Sequence, residues 1–400
     1  MRATIFGLMF HMIISIINAI SETHIVEVVL LVALIVSIRR SKEPSPVPEP
    51  PSDSVRGVAF FSIETTTELK GLAILMIVLS HIGYFLVSDR QFLVPLSNYA
   101  GVGVDLFLIL SGYGLVATAL RRPLSIGKFY LKRLARVYVP VLITVVFFLV
   151  LDFFVLHKTY PFKTMIENIL GFFPNADLYG DLNSPLWYIT PMLAYYLLFP
   201  LIFWRRFPLL SALAMAMISW WGVKYVGGSS TFFEVIFKLY RFHFVAFPVG
   251  MAIGALVNQP PVFITKLIQR LTPYFQKQYL ATICRWALIA TASYVFIYMY
   301  YHPTYGQSWK REVVASLITA GAIMAIFLFK KINFKILYWF GLFSFEIYLL
   351  HWPLLYRYNF LYGKIPAGMA TIIYLGLFLG VGYLYNRGVG RIFGKKKQKG

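Results

Sequence analysis

The chain has 400 residues, of which 59% are apolar and only 13% are charged, and its mean hydropathy is +0.70. A soluble domain of this length carries about a quarter charged residues, so the composition excludes a water-soluble globular protein. The formal charge of +21 does not by itself indicate a nucleic-acid partner, because cytoplasmic loops of membrane proteins collect Lys and Arg. We therefore expect an integral membrane protein whose partners are membrane lipids and not nucleic acid.

Apolar runs of about 17 to 25 residues recur along the whole chain, and each is long enough to cross a hydrocarbon core of roughly 30 Å. A helix satisfies its own backbone hydrogen bonds in lipid, so the pattern predicts an all-α integral membrane protein. The single cysteine, Cys284, excludes an intramolecular disulfide and a CxxC zinc site. Metal chemistry would have to use His and carboxylates alone, and we expect no metal.

The N-terminal region is predicted to be distinct from the core. Apolar stretches at 4–20 and 25–38 flank a polar break at 21–24, which predicts a helical hairpin, or else one longer bent helix. Prolines recur among Ser and Glu in the segment that follows, as in a semi-rigid extended linker. The predicted organisation is an N-terminal hydrophobic hairpin (1–40), a Pro-rich linker (41–57), a membrane domain (58–390) and a basic cytoplasmic tail (391–400).

A bundle of about ten core membrane spans is predicted after the linker, so both ends of the core lie on the same side. The spans fall near residues 69–88, 99–119, 137–156, 187–204, 208–226, 235–257, 282–301, 312–329, 336–356 and 366–386. When the loops are assigned to alternate sides, most of the 37 Lys and Arg residues fall on one side. The positive-inside rule makes that side cytoplasmic and leaves 157–186 as the longest external loop.

Two ionisable residues lie inside the first two core spans. His81 follows Lys70 by eleven residues in ELKGLAILMIVLSHIGYF, so the two share a helix face roughly 16 Å apart. Asp105 lies near the start of GVGVDLFLILSGYGL, at a depth where antiparallel neighbours would bring it to His81. A carboxylate beside an imidazole fixes its tautomer, as removal of a proton from an alcohol requires. Alternatively, His81 only packs against a neighbouring helix and Asp105 only caps its own.

Basic residues are concentrated in the cytoplasmic segment RRPLSIGKFYLKRLARVYVP. Arg133 and Arg136 are three residues apart and so share a helix face. Forked guanidinium groups on one face suit phosphate recognition, whereas the alternative is contact with anionic lipid headgroups. The residues by themselves favour the lipid contact.

Further polar residues lie deep in two later spans. KLYRFHFVAFPVG places Arg241 and His243 in the outer half of the sixth core span, and FGLFSFEIYLLHWP places Glu346 near mid-membrane with His351 farther out. Charged groups at such depth usually face a bundle interior or a wet cavity, so we predict a polar pocket that opens outward. The alternative is a set of interhelical pairs, such as Arg241 with Glu346, that only join spans.

Five stretches of the core carry a family resemblance: LKGLAILMIVLSH, GVGVDLFLILSGYGL, KFYLKRLARVYVP, PLWYITPMLAYYLLFP and FSFEIYLLHWP. In this order they are similar to stretches of the acyltransferase-3 family, the polytopic membrane acyltransferases that modify bacterial surface sugars and other hydroxylated acceptors. The resemblance runs from about residue 69 to residue 355, and residues 1–57 lie outside it.

The resemblance implies transfer of an acyl group, usually acetyl, from cytoplasmic acyl-CoA to a hydroxyl of a carbohydrate or glycolipid acceptor, such as a cell-envelope polysaccharide or exopolysaccharide. It also implies a location in the bacterial cytoplasmic membrane. His81 matches the family's essential histidine, and Asp105 matches the acidic position of its glycine-rich second span. Arg133 and Arg136 match its paired arginines, which hold the CoA phosphates, and this match favours phosphate binding over lipid contact.

Two further positions match the family and two depart from it. Trp187 and His351 match its aromatic and LHWP-type positions. Lys70 stands where many members have Arg, which keeps the charge but loses the bidentate fork. Met192 and Leu193 stand where many members have a pair of glutamates, which indicates a different acceptor or a different base.

Our hypothesis is that acetyl-CoA or another acyl-CoA binds to Arg133, Arg136 and Lys70. His81, oriented by Asp105, then acts as a general base or itself carries the acyl group. The predicted substrate pocket consists of Trp187, Arg241, His243, Glu346 and His351. Two other functions use the same spans, namely a transporter or flippase for a lipid-linked glycan and a structural scaffold. The scaffold is least favoured, because charge inside a membrane is costly.

Overall fold

The computed structural model describes most of the chain. The described residues are 18–40, 61–83, 91–174, 176–177, 180–226, 238–275, 278–302 and 308–392. The predicted linker lies outside the described residues, as do most of the first apolar stretch and most of the basic tail.

Helices dominate the described part of the chain. They are α1 (Ala19–Val36), α2 (Ile63–His81), α3 (Ala100–Arg121), α4 (Ile126–Leu156), α5 (Phe162–Ile169), α6 (Ile189–Ile202), α7 (Pro208–Trp221), α8 (Ala246–Asn258), α9 (Val262–Phe275), α10 (Gln278–Tyr301), α11 (Trp309–Phe329), α12 (Lys335–Leu342), α13 (Ser344–Tyr356) and α14 (Ala367–Ile392). The described part also contains two three-residue strands, β1 (Ile38–Arg40) and β2 (Ile332–Phe334), and three short 3-10 or π-helical segments at Leu96–Asn98, Ser184–Tyr188 and Gly222–Val226. The described part of the chain therefore confirms the predicted all-α class.

Seven described helices are long and apolar enough to cross a membrane, which fits an integral membrane protein. They are α1, α3, α4, α6 with the 3-10 turn before it, α10, α11 and α14. Six of these seven coincide with predicted core spans, and α1 belongs to the N-terminal region. The predicted count of ten core spans is therefore not confirmed.

The four remaining predicted spans contain shorter or interrupted helices. α2 carries three charged residues in its first half, and α7 gives way to a π-helical segment at Gly222. α8 begins only at Ala246, after a run of turns, and a break at Phe343 separates α12 from α13. Irregular backbone of this kind is tolerated at membrane depth where protein surrounds it.

The predicted polar break at 21–24 is wrong, because α1 continues through it. Asn18 caps the helix by accepting a hydrogen bond from the backbone N–H of Ser21 at 3.1 Å. The Thr23 hydroxyl donates to the carbonyl of Ala19 and accepts from the backbone N–H of Leu93 at 2.8 Å. The polar residues are satisfied by contacts within α1 and with the core, so they do not end the helix.

The far end of α1 is joined to the core by a short sheet. β1 and β2 pair antiparallel, with Ile38 opposite Phe334. Beside them the fully buried carboxylate of Glu68 in α2 pairs with Lys330 at 2.5 Å and accepts a hydrogen bond from the backbone N–H of Phe334. The N-terminal segment therefore packs as part of the same bundle.

Loops that are predicted to share a side of the membrane lie together. On the predicted cytoplasmic side, the Arg205 guanidinium donates to the carbonyl of Leu120 at 2.8 Å. On the opposite side, Arg357 after α13 pairs with Asp152 near the end of α4 at 3.0 Å. These contacts agree with an alternating order of spans, and the cytoplasmic assignment stays a prediction from charge.

Close helix contacts in the bundle depend on glycine. A Cβ added to Gly71 in α2 would lie 1.8 Å from the carbonyl oxygen of Leu337 in α12. A Cβ added to Gly250 in α8 would lie 2.1 Å from the carbonyl oxygen of Ile109 in α3. Backbone-to-backbone approach of this kind is typical of membrane helices, where small residues allow dense packing. It holds α2 against α12 and α3 against α8.

We predict that Gly71→Ala destabilises the bundle, because the new methyl group would force α2 away from α12. Overpacking of this kind costs about 1–3 kcal/mol. The matched control is Gly114→Ala in α3, where an added Cβ meets no atom within 4 Å. Thermal unfolding of the purified protein in detergent should show a lower midpoint for Gly71→Ala only, and equal midpoints for both variants would contradict the assigned contact.

Candidate functional site

Two histidines meet near the end of α2. His81 is the last residue of α2 and His351 lies in α13, and their Nδ1 and Nε2 atoms, respectively, are 2.8 Å apart. The rings are nearly parallel, with centroids 5.1 Å apart. His351 is fully buried, whereas His81 keeps partial exposure. His81 is therefore the member of the pair that a bound molecule can approach.

Backbone carbonyls determine which histidine donates the hydrogen bond. The Nδ1 atom of His351 lies 2.9 Å from the carbonyl oxygen of Tyr348 and 3.1 Å from that of Ile347. Carbonyl oxygens only accept, so Nδ1 of His351 carries the proton and its Nε2 carries the lone pair of a neutral imidazole. His81 must then donate through Nδ1. The lone pair of His81 consequently lies on Nε2, the nitrogen that could accept a proton.

The predicted external loop 157–186 lies partly inside the protein, next to this pair. Its last residues are buried, and the amide of Asn183 donates to the carbonyl of Leu349 at 2.8 Å. The Tyr348 hydroxyl donates to the carbonyl of Pro185. This segment therefore packs on α13 beside His351 and holds the helix that carries it.

Asp105 has different partners from those predicted. One carboxylate oxygen lies 2.8 Å from Nδ1 of His243, and the other accepts a hydrogen bond from Ser316 in α11. Asp105 is only 1% exposed. The predicted contact of Asp105 with His81 is wrong.

The physical reason for this error is helix depth. Gly103 in α3 packs against Ala73 and Ile77 in α2, well below the end of α2. At 1.5 Å per residue, Asp105 therefore lies roughly 10 Å deeper along the bundle than His81. The prediction assumed that both spans start at the same level.

Asp105 and His243 form a second histidine site. The carboxylate accepts from Nδ1 of His243, which leaves the lone pair on Nε2. Trp187 stacks on the His243 ring with a centroid distance of 5.9 Å and an angle of 27°. Ser316 completes the site, and no sequence pattern indicated it, because a serine in a membrane helix is ordinary. The structure thus brings together Asp105, His243 and Trp187.

Arg241 and Glu346, two residues of the predicted substrate pocket, do not pair with each other. Glu346 accepts a hydrogen bond from Asn386 at 2.5 Å, near the end of α14, toward the predicted cytoplasmic side. The Arg241 guanidinium lies 4.9 Å from the ring centre of Phe242, and within the described residues no carboxylate pairs with it. The alternative pairing of Arg241 with Glu346 is therefore wrong.

Three cations come together beside the first half of α2. Lys70 interacts electrostatically with Arg133 and Arg136 of α4. Among the described residues, no carboxylate forms an ion pair with any of the three. Clustered positive charge without a counter-charge attracts anions. Because Lys70 and His81 lie in the same helix, α2 links this basic cluster to the histidine pair over roughly 16 Å.

The comparisons with known proteins identify one domain. A family model described as an acyltransferase domain matches residues 69–387, which is most of the chain. No curated protein and no solved structure matches the chain. Within the described residues, no group of three or more His, Cys, Asp and Glu side chains is placed to hold a metal ion.

We predict strong energetic coupling between Asp105 and His243. Asp105→Ala removes the acceptor of the buried His243 ring and of the half-buried Ser316 hydroxyl, and an unsatisfied buried donor costs about 1–3 kcal/mol. In a His243→Phe background one of these donors is already absent, so the loss on Asp105→Ala should be smaller by about 1–2 kcal/mol. Unfolding in mixed detergent micelles measures both losses. Thr118→Ala, an exposed site in α3, is the control background, and additive losses with His243→Phe would contradict the contact.

Proposed function

This chain belongs to the acyltransferase-3 family, and we propose that it transfers an acetyl group from cytoplasmic acetyl-CoA to a hydroxyl of a carbohydrate or glycolipid acceptor. The proposed location is the bacterial cytoplasmic membrane, with both ends of the core on the cytoplasmic side. The observation that carries the proposal is the hydrogen bond from His81 to His351, because it puts a lone pair on Nε2 of a partly exposed histidine.

The basic cluster supports CoA as the donor. CoA carries a diphosphate and a further phosphate, and arginine binds such groups through two parallel hydrogen bonds. Arg133 and Arg136 supply two such forks, while Lys70 adds a point charge in the first half of α2. We propose that the CoA phosphates lie on this cluster and that the pantetheine arm extends along α2 toward His81.

His81 is the proposed general base. Its Nε2 takes the proton of the acceptor hydroxyl while the hydroxyl oxygen attacks the carbonyl carbon of the thioester. The carbon–sulfur bond then breaks, the acetyl group remains on the acceptor oxygen, and the CoA sulfur takes the proton from His81. His351 replaces Asp105 in the role of orienting His81, because it accepts from Nδ1 throughout. Transfer through an acetyl group carried on Nε2 uses the same lone pair.

The second histidine site is the proposed place for the acceptor. His243 offers a lone pair on Nε2 to a second hydroxyl of the acceptor, distinct from the one that His81 deprotonates, and Asp105 holds that ring in position. Trp187 supplies an aromatic surface beside it. Since a sugar presents both hydroxyls and an apolar face, this combination suits a carbohydrate better than a purely apolar molecule.

We predict that His81→Ala abolishes acetyl transfer and that His351→Phe lowers its rate by about 10²-fold, in the range expected for general base catalysis. His351→Gln should keep more activity, because its amide oxygen can still accept from His81. The measurement is the acetyl content of cell-surface glycans, by mass analysis, in cells that lack the native gene and carry each variant at equal membrane abundance. Full acetylation with His81→Ala would overturn the mechanism.

We also predict that the donor binds to the basic cluster. Arg133→Ala and Arg136→Ala should each weaken acetyl-CoA binding by about tenfold or more, because a charge-assisted bidentate contact is lost. Lys331→Ala is the control, since Lys331 is an exposed cation near the same predicted side. Calorimetric titration of the purified chain in neutral-lipid nanodiscs measures the affinities. A flippase for a lipid-linked glycan would not bind acetyl-CoA, and that result would favour the transporter function.

A further inference from the structure

An open cleft of about 600 Å³ lies at the predicted cytoplasmic side, and none of its lining residues belongs to the basic cluster. It is formed where α3 and α8 end and where the chain turns from α6 to α7. Its lining consists of Leu120, Trp204, Arg205, Arg206, Asn258 and Gln259. No role described so far uses these residues.

The two arginines make the cleft a site for an anion. One N–H of Arg205 is held by the carbonyl of Leu120, which fixes the position of the guanidinium. Arg206 lies with its guanidinium 5.4 Å from the ring centre of Phe207. Within the described residues, neither arginine pairs with a carboxylate. Their charge is therefore available to a phosphate group.

Trp204 adds an aromatic surface to the same cleft. The residue is 57% exposed, and its ring is held edge-on against Phe207 with a centroid distance of 4.7 Å. Its backbone N–H donates to the Ser211 hydroxyl at 2.7 Å, which fixes the main chain at the turn. A fixed, exposed indole is a platform on which a flat base can stack.

Helix ends supply hydrogen-bond acceptors. α3, α6 and α8 all run toward the cleft with their C-terminal ends, where the last carbonyls lack intrahelical partners. Such carbonyls disfavour a bare anion but accept from an amino group. The Asn258 amide nitrogen donates to the carbonyl of Gly254, so its oxygen is a further acceptor. The cleft therefore offers an aromatic surface for a flat ring, carbonyl and amide oxygens that accept from an amino group, and arginines for a phosphate. These three features match an aminopurine that carries a phosphate.

Stacked aromatic rings lie between the cleft and α4, the helix that carries two residues of the basic cluster. Phe129, one turn before Arg133 in α4, stacks on Phe199 at 5.8 Å, and Phe199 stacks on Phe203 at 5.0 Å. Phe203 immediately precedes Trp204 in the chain. A chain of stacked rings thus connects the helix that carries Arg133 to the wall of the cleft.

We infer that this cleft binds the adenosine 3′-phosphate end of the CoA donor, with the adenine on Trp204 and the 3′-phosphate on Arg206. The inference rests on the proposed function, which supplies CoA as the donor. The phosphates of CoA are then bound at two places, the 3′-phosphate in the cleft and the diphosphate on Lys70, Arg133 and Arg136. An anionic lipid headgroup offers a phosphate as well but no base for Trp204.

The test compares CoA with dephospho-CoA, which lacks only the 3′-phosphate. Calorimetric titration uses the purified full chain in phosphatidylcholine nanodiscs. The unchanged chain should bind CoA about tenfold more tightly than dephospho-CoA, and Arg206→Ala should remove this difference. Trp204→Ala should weaken both ligands about tenfold through lost stacking. Arg133→Ala should weaken both while the difference persists, and Lys331→Ala should change neither.

The outcomes separate the two proposals. If the unchanged chain binds neither ligand, CoA is not the donor and the proposed function fails together with the inference. If CoA binds and the preference over dephospho-CoA is absent, or survives in Arg206→Ala, only the cleft assignment fails. Thermal unfolding of each variant verifies that it is folded. If Arg206→Ala reduces retention of phosphatidylglycerol and leaves the CoA preference intact, the cleft is a lipid headgroup site and the inference is overturned.

Discussion

The close contact of α2 with α12 is the constraint on which the rest of the site depends. Gly71 and Gly341 lie at this contact, where an added Cβ on either would collide with a backbone carbonyl. Because α12 leads directly into α13, the same contact sets the position of His351 relative to His81. The contact also sets the depth of Lys70, which shares α2 with His81. Because α2 is a rigid helix, it fixes the spacing between the basic cluster and the histidine at the end of α2.

The two histidine sites use different acceptors to reach the same result. In one, backbone carbonyls orient His351, which in turn orients His81. In the other, the carboxylate of Asp105 orients His243 directly. Both arrangements leave the lone pair on Nε2, and only the second uses an acidic side chain inside the membrane. Burying that carboxylate is tolerated because Ser316 and His243 both donate to it.

The sequence predicted where residues lie within a single helix. It missed which residues of two different helices come into contact. Hydropathy placed six core helices, and helical spacing put Lys70 and His81 on α2, because both depend on local geometry. The pairing of His81 with His351 instead of Asp105 depends on how far each helix reaches into the membrane, which hydropathy does not measure. The polar residues at 21–24 looked like a turn, because their partner Leu93 is distant in sequence.

The sheet between β1 and β2 has a consequence for how the protein is made. β1 is synthesised long before β2, yet its register pairs Ile38 with Phe334, far later in the chain. The pairing must therefore wait until the chain has been synthesised and inserted as far as β2. Pairing over so long a stretch of chain costs conformational entropy, and this cost slows the docking of α1. Docking of α1 through this sheet thus follows synthesis of the core up to β2, and a chain that lacks β2 leaves the edge of β1 unpaired.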